Sequence, residues 1–176
     1  MIPFLRKTWM GWIAVLIFLA DQGTKSIVVR SLLVGEERVV LDGFFKWVHW
    51  ENTGAAWSLF TGKSELLAIV SLIAMMALFI FRRHFDGNTT MGKIALGLLF
   101  GGILGNLYDR LHPDRGHVID FIYFYVYRRS GGESGFPAFN IADSAICVAV
   151  GLLLVISWRE DLYSGSPKET PAEASS

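Results

Sequence analysis

Two carboxylates in this chain stand in apolar stretches, and Asp143 has no basic neighbour one helical turn away. Asp143 sits in "FNIADSAI", residues 139–146, and Asp120 sits in the equally apolar "VIDFI". A carboxylate held away from water binds its proton more tightly, or shares one with a second carboxylate. Two such groups brought together cannot both ionise easily. The charged member can then take a proton from water, while the protonated member hydrogen-bonds a peptide carbonyl and stabilises the developing oxyanion. That is chemistry suited to hydrolysing a peptide bond. Spacing alone does not make the two residues meet, so the elements that carry them matter.

Those elements belong to a membrane protein. Of 176 residues, 52% are hydrophobic and 18% charged, and the mean hydropathy is +0.42. Sixteen basic and sixteen acidic residues cancel. A disordered chain would be less hydrophobic and more charged, and an electrostatic nucleic-acid binder would carry a basic excess. The single cysteine, Cys147, excludes an internal disulfide framework and a cysteine-based zinc cluster.

A bilayer core needs about 20 mostly apolar residues per helix. Four stretches qualify, at about 9–29, 64–81, 90–108 and 139–158. Arg6 and Lys7 precede the first, but its initial apolar run is followed by Asp21 in place of a small-residue cleavage site, so a retained span is expected. Arg82, Arg83 and Lys93 crowd the short connection between spans two and three, and Arg159 follows span four. This distribution puts both termini in the cytoplasm. Residues 1–158 read as one membrane-embedded domain, and 159–176 as a disordered cytoplasmic tail. Gly97, Gly101 and Gly105 share one face of span three and would let another helix approach closely.

The loops between spans one and two and before span four look like sheet. "ERVVLDGFFKWVHWEN" carries two β-prone runs around Asp42-Gly43, and "HVIDFIYFYVY" is rich in β-branched and aromatic residues. The expected fold is mainly α, a four-helix membrane bundle with a small β-sheet cradle on its outer side. In this topology Asp21, Lys25, Asn52, Asn106, Asp109, Arg110, Asp120, Asn140 and Asp143 all collect near that outer surface. Asp21 and Lys25 are four residues apart and can neutralise each other. With Asp109 they read as structural. Asn140 suits the N-cap of span four.

Five segments, in order, resemble a known family: "DQGTK" at 21–25, "ENTGAAWS" at 51–58, "GGILGNLYDR" at 101–110, "VIDF" at 118–121 and "FNIADSAI" at 139–146. The chain closely resembles the bacterial lipoprotein signal peptidases (signal peptidase II) across residues 9–158. The resemblance implies an aspartic endopeptidase of the bacterial inner membrane, acting without metal or other cofactor. Its substrate would be a diacylglyceryl-modified prolipoprotein, cut just before the lipidated cysteine. Asp120 and Asp143 would be the catalytic pair. Asn52, Asn106 and Arg110 would hold the substrate backbone, and Asn140 would order the site. Membrane lipid is the other expected partner, nucleic acid is not one, and a monomer is expected. The segment "YRRSGGESGFPAFN" looks several residues long for the family, and its glycines suggest a mobile extension.

Other readings stay open on sequence alone. A proton-coupled transporter would spread acidic groups through the membrane depth, whereas here they gather at one face. A scaffold or lipid-binding protein would tolerate Asn at 120 or 143. A serine mechanism through Ser58 or Ser144 lacks a nucleophile turn and a membrane-helix histidine. His112 and His117 have no neighbours that complete a zinc site.

Overall fold

The structure, a computed structural model, describes residues 3–54, 59–83 and 89–164, with side chains over 9–54, 59–83 and 89–159. Part of "ENTGAAWS" (including Ser58), the side chains of Arg6 and Lys7, and the tail from residue 165 lie outside the described residues. In chain order the elements are α1 (Pro3–Ser31), β1 (Glu37–Leu41), β2 (Phe45–Asn52), α2 (Ser64–Phe81), α3 (Thr90–Leu111), β3 (Val118–Tyr127), β4 (Glu133–Gly135) and α4 (Ile141–Ser164). All four helices are long and apolar enough to cross a membrane, over Trp9–Ser31, Ser64–Phe81, Thr90–Leu111 and Ile141–Arg159.

Helix α3 is the hub of the bundle. It packs against α1, α2 and α4, whereas α2 rests on α3 alone among the described residues. Its glycines explain how. A Cβ added at Gly101 would lie 2.7 Å from the Ala14 carbonyl oxygen and 2.8 Å from Ile17 Cβ. One at Gly97 would lie 2.8 Å from Ile13 Cβ, and one at Gly102 would lie 2.6 Å from the Ala142 carbonyl oxygen. Lipid tails are as apolar as leucine, so helices in a bilayer gain most from this close packing. Gly101→Val should therefore cost about 1–3 kcal/mol through overpacking. Thermal unfolding in detergent measures this, and an unchanged midpoint would show that the α1–α3 contact is not limiting.

The sheet has the antiparallel order β1-β2-β3-β4. The Asp42-Gly43 signal forms the β1–β2 hairpin, with Phe44 N donating to the Leu41 carbonyl and Gly43 at φ 70°. Val28 of α1 and Leu32, just beyond its end, pack under the sheet with Ile119 and Phe121. Trp47 stacks on Phe121 at 5.5 Å between ring centroids.

Three expectations need correction. Phe139 is not the start of span four. Its backbone pairs with Ile122 at the sheet, and α4 begins at Ile141. The disordered tail does not begin at Arg159, because α4 continues to Ser164; no helix breaker intervenes before Gly165 and Pro167. The 128–135 segment is not a loose extension. It turns at Gly131 and Gly132, both with positive φ, and returns as β4 against β3.

Candidate active site

The chain reverses from sheet to helix at Asn140, and this turn sets the position of Asp143. The Asn140 side-chain oxygen accepts from the Asp143 backbone N–H at 2.9 Å. The Asp143 Oδ2 accepts from the Asn140 backbone N–H at 3.2 Å. This is a reciprocal capping box with aspartate in the third helical position. It also places the carboxylate at the positive end of the α4 dipole. Its other oxygen, Oδ1, accepts from Asn106 Nδ2 at 2.7 Å.

Asp120 reaches the same place from near the start of β3. Its Oδ1 accepts from Asn140 Nδ2 at 2.8 Å and its Oδ2 from Asn52 Nδ2 at 2.9 Å. Asn140 is fully buried and bonds both acidic residues. Asp120 is only 3% exposed. Burial, and then the neighbouring Asp143 charge, push its pKa up to about 7, against the opposing pull of the Asn52 and Asn140 donors. Neither Asp120 nor Asp143 has an ion pair among the described residues.

Both carboxylates line one cavity of about 510 Å³. Asn52, Asn106 and Arg110 share its polar end. Ser71 of α2, Ile103 of α3, and Ile146 and Cys147 of α4 continue it between the helices. Phe136 to Phe139 form a further wall. The apolar lining residues are ones the sequence did not single out; on an apolar helix nothing marks the face that lines a cavity.

The remaining polar residues divide in two. Asn52 and Asn106 each use both ends of their amides within the protein. The Asn52 oxygen accepts from Gly54 N at 2.9 Å. The Asn106 oxygen accepts from Lys25 Nζ at 3.1 Å and from Asn140 Nδ2 at 3.2 Å. Arg110, the third residue to which the resemblance gives a substrate-holding role, stands beside them. Its guanidinium touches the Gly54 and Asn106 carbonyls at 3.2 and 3.4 Å, and its buried Nε has no hydrogen-bond partner among the described residues.

Beneath this layer, fully buried Lys25 bridges Asp21 at 2.7 Å and Asp109 at 2.6 Å. Gln22, which the sequence did not single out, donates to Asp21 Oδ2, the Gly105 carbonyl and Asp109 Oδ1. Arg115 also pairs with Asp109, at 3.2 Å. Asp21 Oδ1 accepts from the Ala142 backbone N–H at 3.0 Å, so the triad ties α1, α3 and α4 together just below the site.

Comparison with known proteins agrees with this layout. A family model described as signal peptidase (SPase) II matches residues 13–159. The lipoprotein signal peptidase of Geobacillus kaustophilus is 37% identical over 144 residues, which is 82% of this chain and 89% of that one. The lipoprotein signal peptidase of Pseudomonas aeruginosa PAO1 is 38% identical over 160 residues, 89% of this chain and 90% of its own. A bacterial membrane enzyme solved by the in meso method at 2.3 Å superposes with a TM-score of 0.75 at 33% identity, covering 92% of this chain and 93% of that one. Four membrane helices and a bacterial membrane enzyme as structural neighbour make the chain a multi-pass membrane protein. With the family match running from the first membrane helix through Arg159, this protein belongs to the signal peptidase II family.

Proposed function

We propose that this protein is an aspartic endopeptidase that removes the signal peptide from diacylglyceryl-modified prolipoproteins, cutting just before the lipidated cysteine. One observation carries the reading: Asp120 and Asp143, joined through Asn140, face a single cavity that is polar at one end and apolar between the helices. A lipidated substrate needs that combination. Its scissile bond must reach water while its acyl chains and signal helix stay in hydrocarbon. Because α2 touches only α3 among the described residues, the cavity can be walled by α2 on one side and α4 on the other. A second apolar cavity of about 350 Å³, lined by Met75, Met76, Phe79, Ile80 and Phe100, lies further along α2 and α3 and suits an apolar chain.

The chemistry follows from the two environments. Asp120, raised to about 7, carries the proton in the resting enzyme. It hydrogen-bonds the scissile carbonyl. Asp143, facing two N–H donors and the helix N-terminus, is the charged member. It takes a proton from water as the water oxygen attacks the carbonyl carbon. The tetrahedral intermediate collapses as that proton passes to the nitrogen of the lipidated cysteine, leaving a carboxylic acid and an amine. Arg110, whose guanidinium stands at the polar end of the cavity, holds a substrate carbonyl, while Asn52, Asn106 and Asn140 hold the two carboxylates in place. The enzyme acts as a monomer in the bacterial inner membrane. Both termini are cytoplasmic and the site lies near the outer face, supported by Arg82, Arg83 and Lys93 at the opposite end.

The direct test offers the purified protein a diacylglyceryl-modified prolipoprotein and the same protein without lipid. Cleavage before the cysteine of the lipidated form alone supports the proposal; no cleavage by folded protein overturns it. The pH dependence is a second test. The dyad titrates as a pair and works with one proton between the two groups. Below about 7 Asp120 keeps that proton, and above it the proton is lost. The value of kcat/KM should therefore fall roughly tenfold per pH unit once that loss is complete. A rate that is level from neutral to alkaline pH would remove Asp120 from the acid role.

A further inference from the structure

Lys46 is a costly residue in its place. Its side chain is 7% exposed, within a small sheet. Its Nζ lies 2.9 Å from Glu37 on β1 and 2.7 Å from Glu133 on β4. On the way it crosses the ring of Tyr125 on β3, 4.4 Å from the centroid. Lys46 thus starts on β2, passes over β3 and grips β4. Removing a charge from water offsets most of what such a pair gains, and an apolar residue of similar volume usually stabilises as well. The stem would pack equally well as methionine. What a methionine cannot do is hold Glu133 at a fixed point.

That fixed point lies next to the cavity. β4 is three residues long, and Gly135 ends it directly against the Tyr123 side chain; a Cβ at Gly135 would overlap that ring. The next residue, Phe136, donates its N–H to the Phe124 carbonyl at 3.0 Å and lines the active-site cavity while remaining 58% exposed. Its ring meets Phe139 edge-on at 6.1 Å, and Phe139 meets Phe124 at 6.0 Å. Phe136 is thus an apolar rim to the cavity, and its backbone continues from β4 without a turn.

We infer that the Arg128–Gly135 hairpin, latched to the sheet by Lys46 and Glu133, sets where Phe136 stands at the cavity rim, so that Lys46 is a positioning residue for binding the apolar part of the substrate. The inference rests on the proposal that this cavity receives a lipidated peptide. It gives a role to the segment that departs from the family pattern.

The test compares steady-state cleavage of a diacylglyceryl-modified prolipoprotein peptide by the native chain, Lys46→Met, Gly135→Ala and Phe136→Ala, each checked by thermal unfolding. Glu37 and Glu133 are 38% and 35% exposed, so water can solvate them when Lys46 is replaced. KM should rise about five- to tenfold in all three variants, with kcat within about twofold of native, since uniform binding is what is lost. Gly135→Ala displaces β4 without touching Lys46, so it keeps the inference testable if Lys46→Met does not fold. An unchanged KM in Gly135→Ala and Lys46→Met overturns the inference, as does a fall in kcat at constant KM. No cleavage by the native chain would instead overturn the proposed function, and this inference with it.

Discussion

Asp120→Asn and Asp143→Asn each reduce cleavage of a lipidated prolipoprotein by about a thousandfold or more, with kcat carrying the loss. Positioned acid–base groups contribute about 10²- to 10⁴-fold each, and groups acting as one unit lose nearly everything when either is removed. The double variant should therefore be little worse than either single one. Asparagine keeps the shape and volume but cannot exchange the proton. At Asp143 it also disturbs the cap: the Asn140 N–H and Asn106 Nδ2 would face an amide with only one acceptor. At Asp120 the donors from Asn52 and Asn140 meet the same difficulty. Each variant thus needs a parallel measurement of folding, by thermal unfolding and by retained binding of uncleaved substrate. Full activity in a folded Asp120→Asn would end its role and leave the acid to another group at the cavity. Additive losses in the double variant would mean that the two carboxylates act independently.

What made this pair legible was an absence. Asp143 had no cation within helical reach and Asp120 stood in an apolar stretch, and a carboxylate so placed needs an explanation; only the resemblance joined the two as a pair. The reach of Asn140 was half legible. Its capping role followed from residue type, but its bond to Asp120 depends on the start of β3 lying beside the turn into α4, which no local pattern records. The four spans followed from hydropathy. Their ends did not, because Phe139 is as apolar as a span residue and yet pairs with Ile122. Lys46 was hidden by the sheet itself. The alternation from Phe44 onward is not strict, and the register shifts between Trp47 and Trp50, so Val48 and His49 are both buried. His49 Nδ1 lies 3.0 Å from the Leu32 carbonyl oxygen, a contact that ties β2 to the end of α1. Asp21 and Lys25 were readable as a local pair. The third member, Asp109, lies on another helix, so the sequence marked it as structural without showing its partner.

That third member makes Lys25→Met the most destabilising single change expected here. Lys25 is 0% exposed and sits between two carboxylates that are also fully buried. Removing it leaves two uncompensated charges facing each other away from water, and breaking a buried pair by deleting one partner costs about 3–5 kcal/mol. Arg115 and Gln22 offset part of the loss at Asp109, and the Ala142 N–H offsets part at Asp21. Thermal unfolding in detergent should show a large drop in midpoint for Lys25→Met. Neutralising the whole triad, as Asp21→Asn with Lys25→Met and Asp109→Asn, should recover most of that drop, because no buried charge is then left alone. The comparison separates two sources of the cost. If the triple variant recovers, the penalty lies in unpaired charge. If it stays as unstable as the single variant, the geometry that joins α1, α3 and α4 carries the stability, and the ion pairs are only one way of building it.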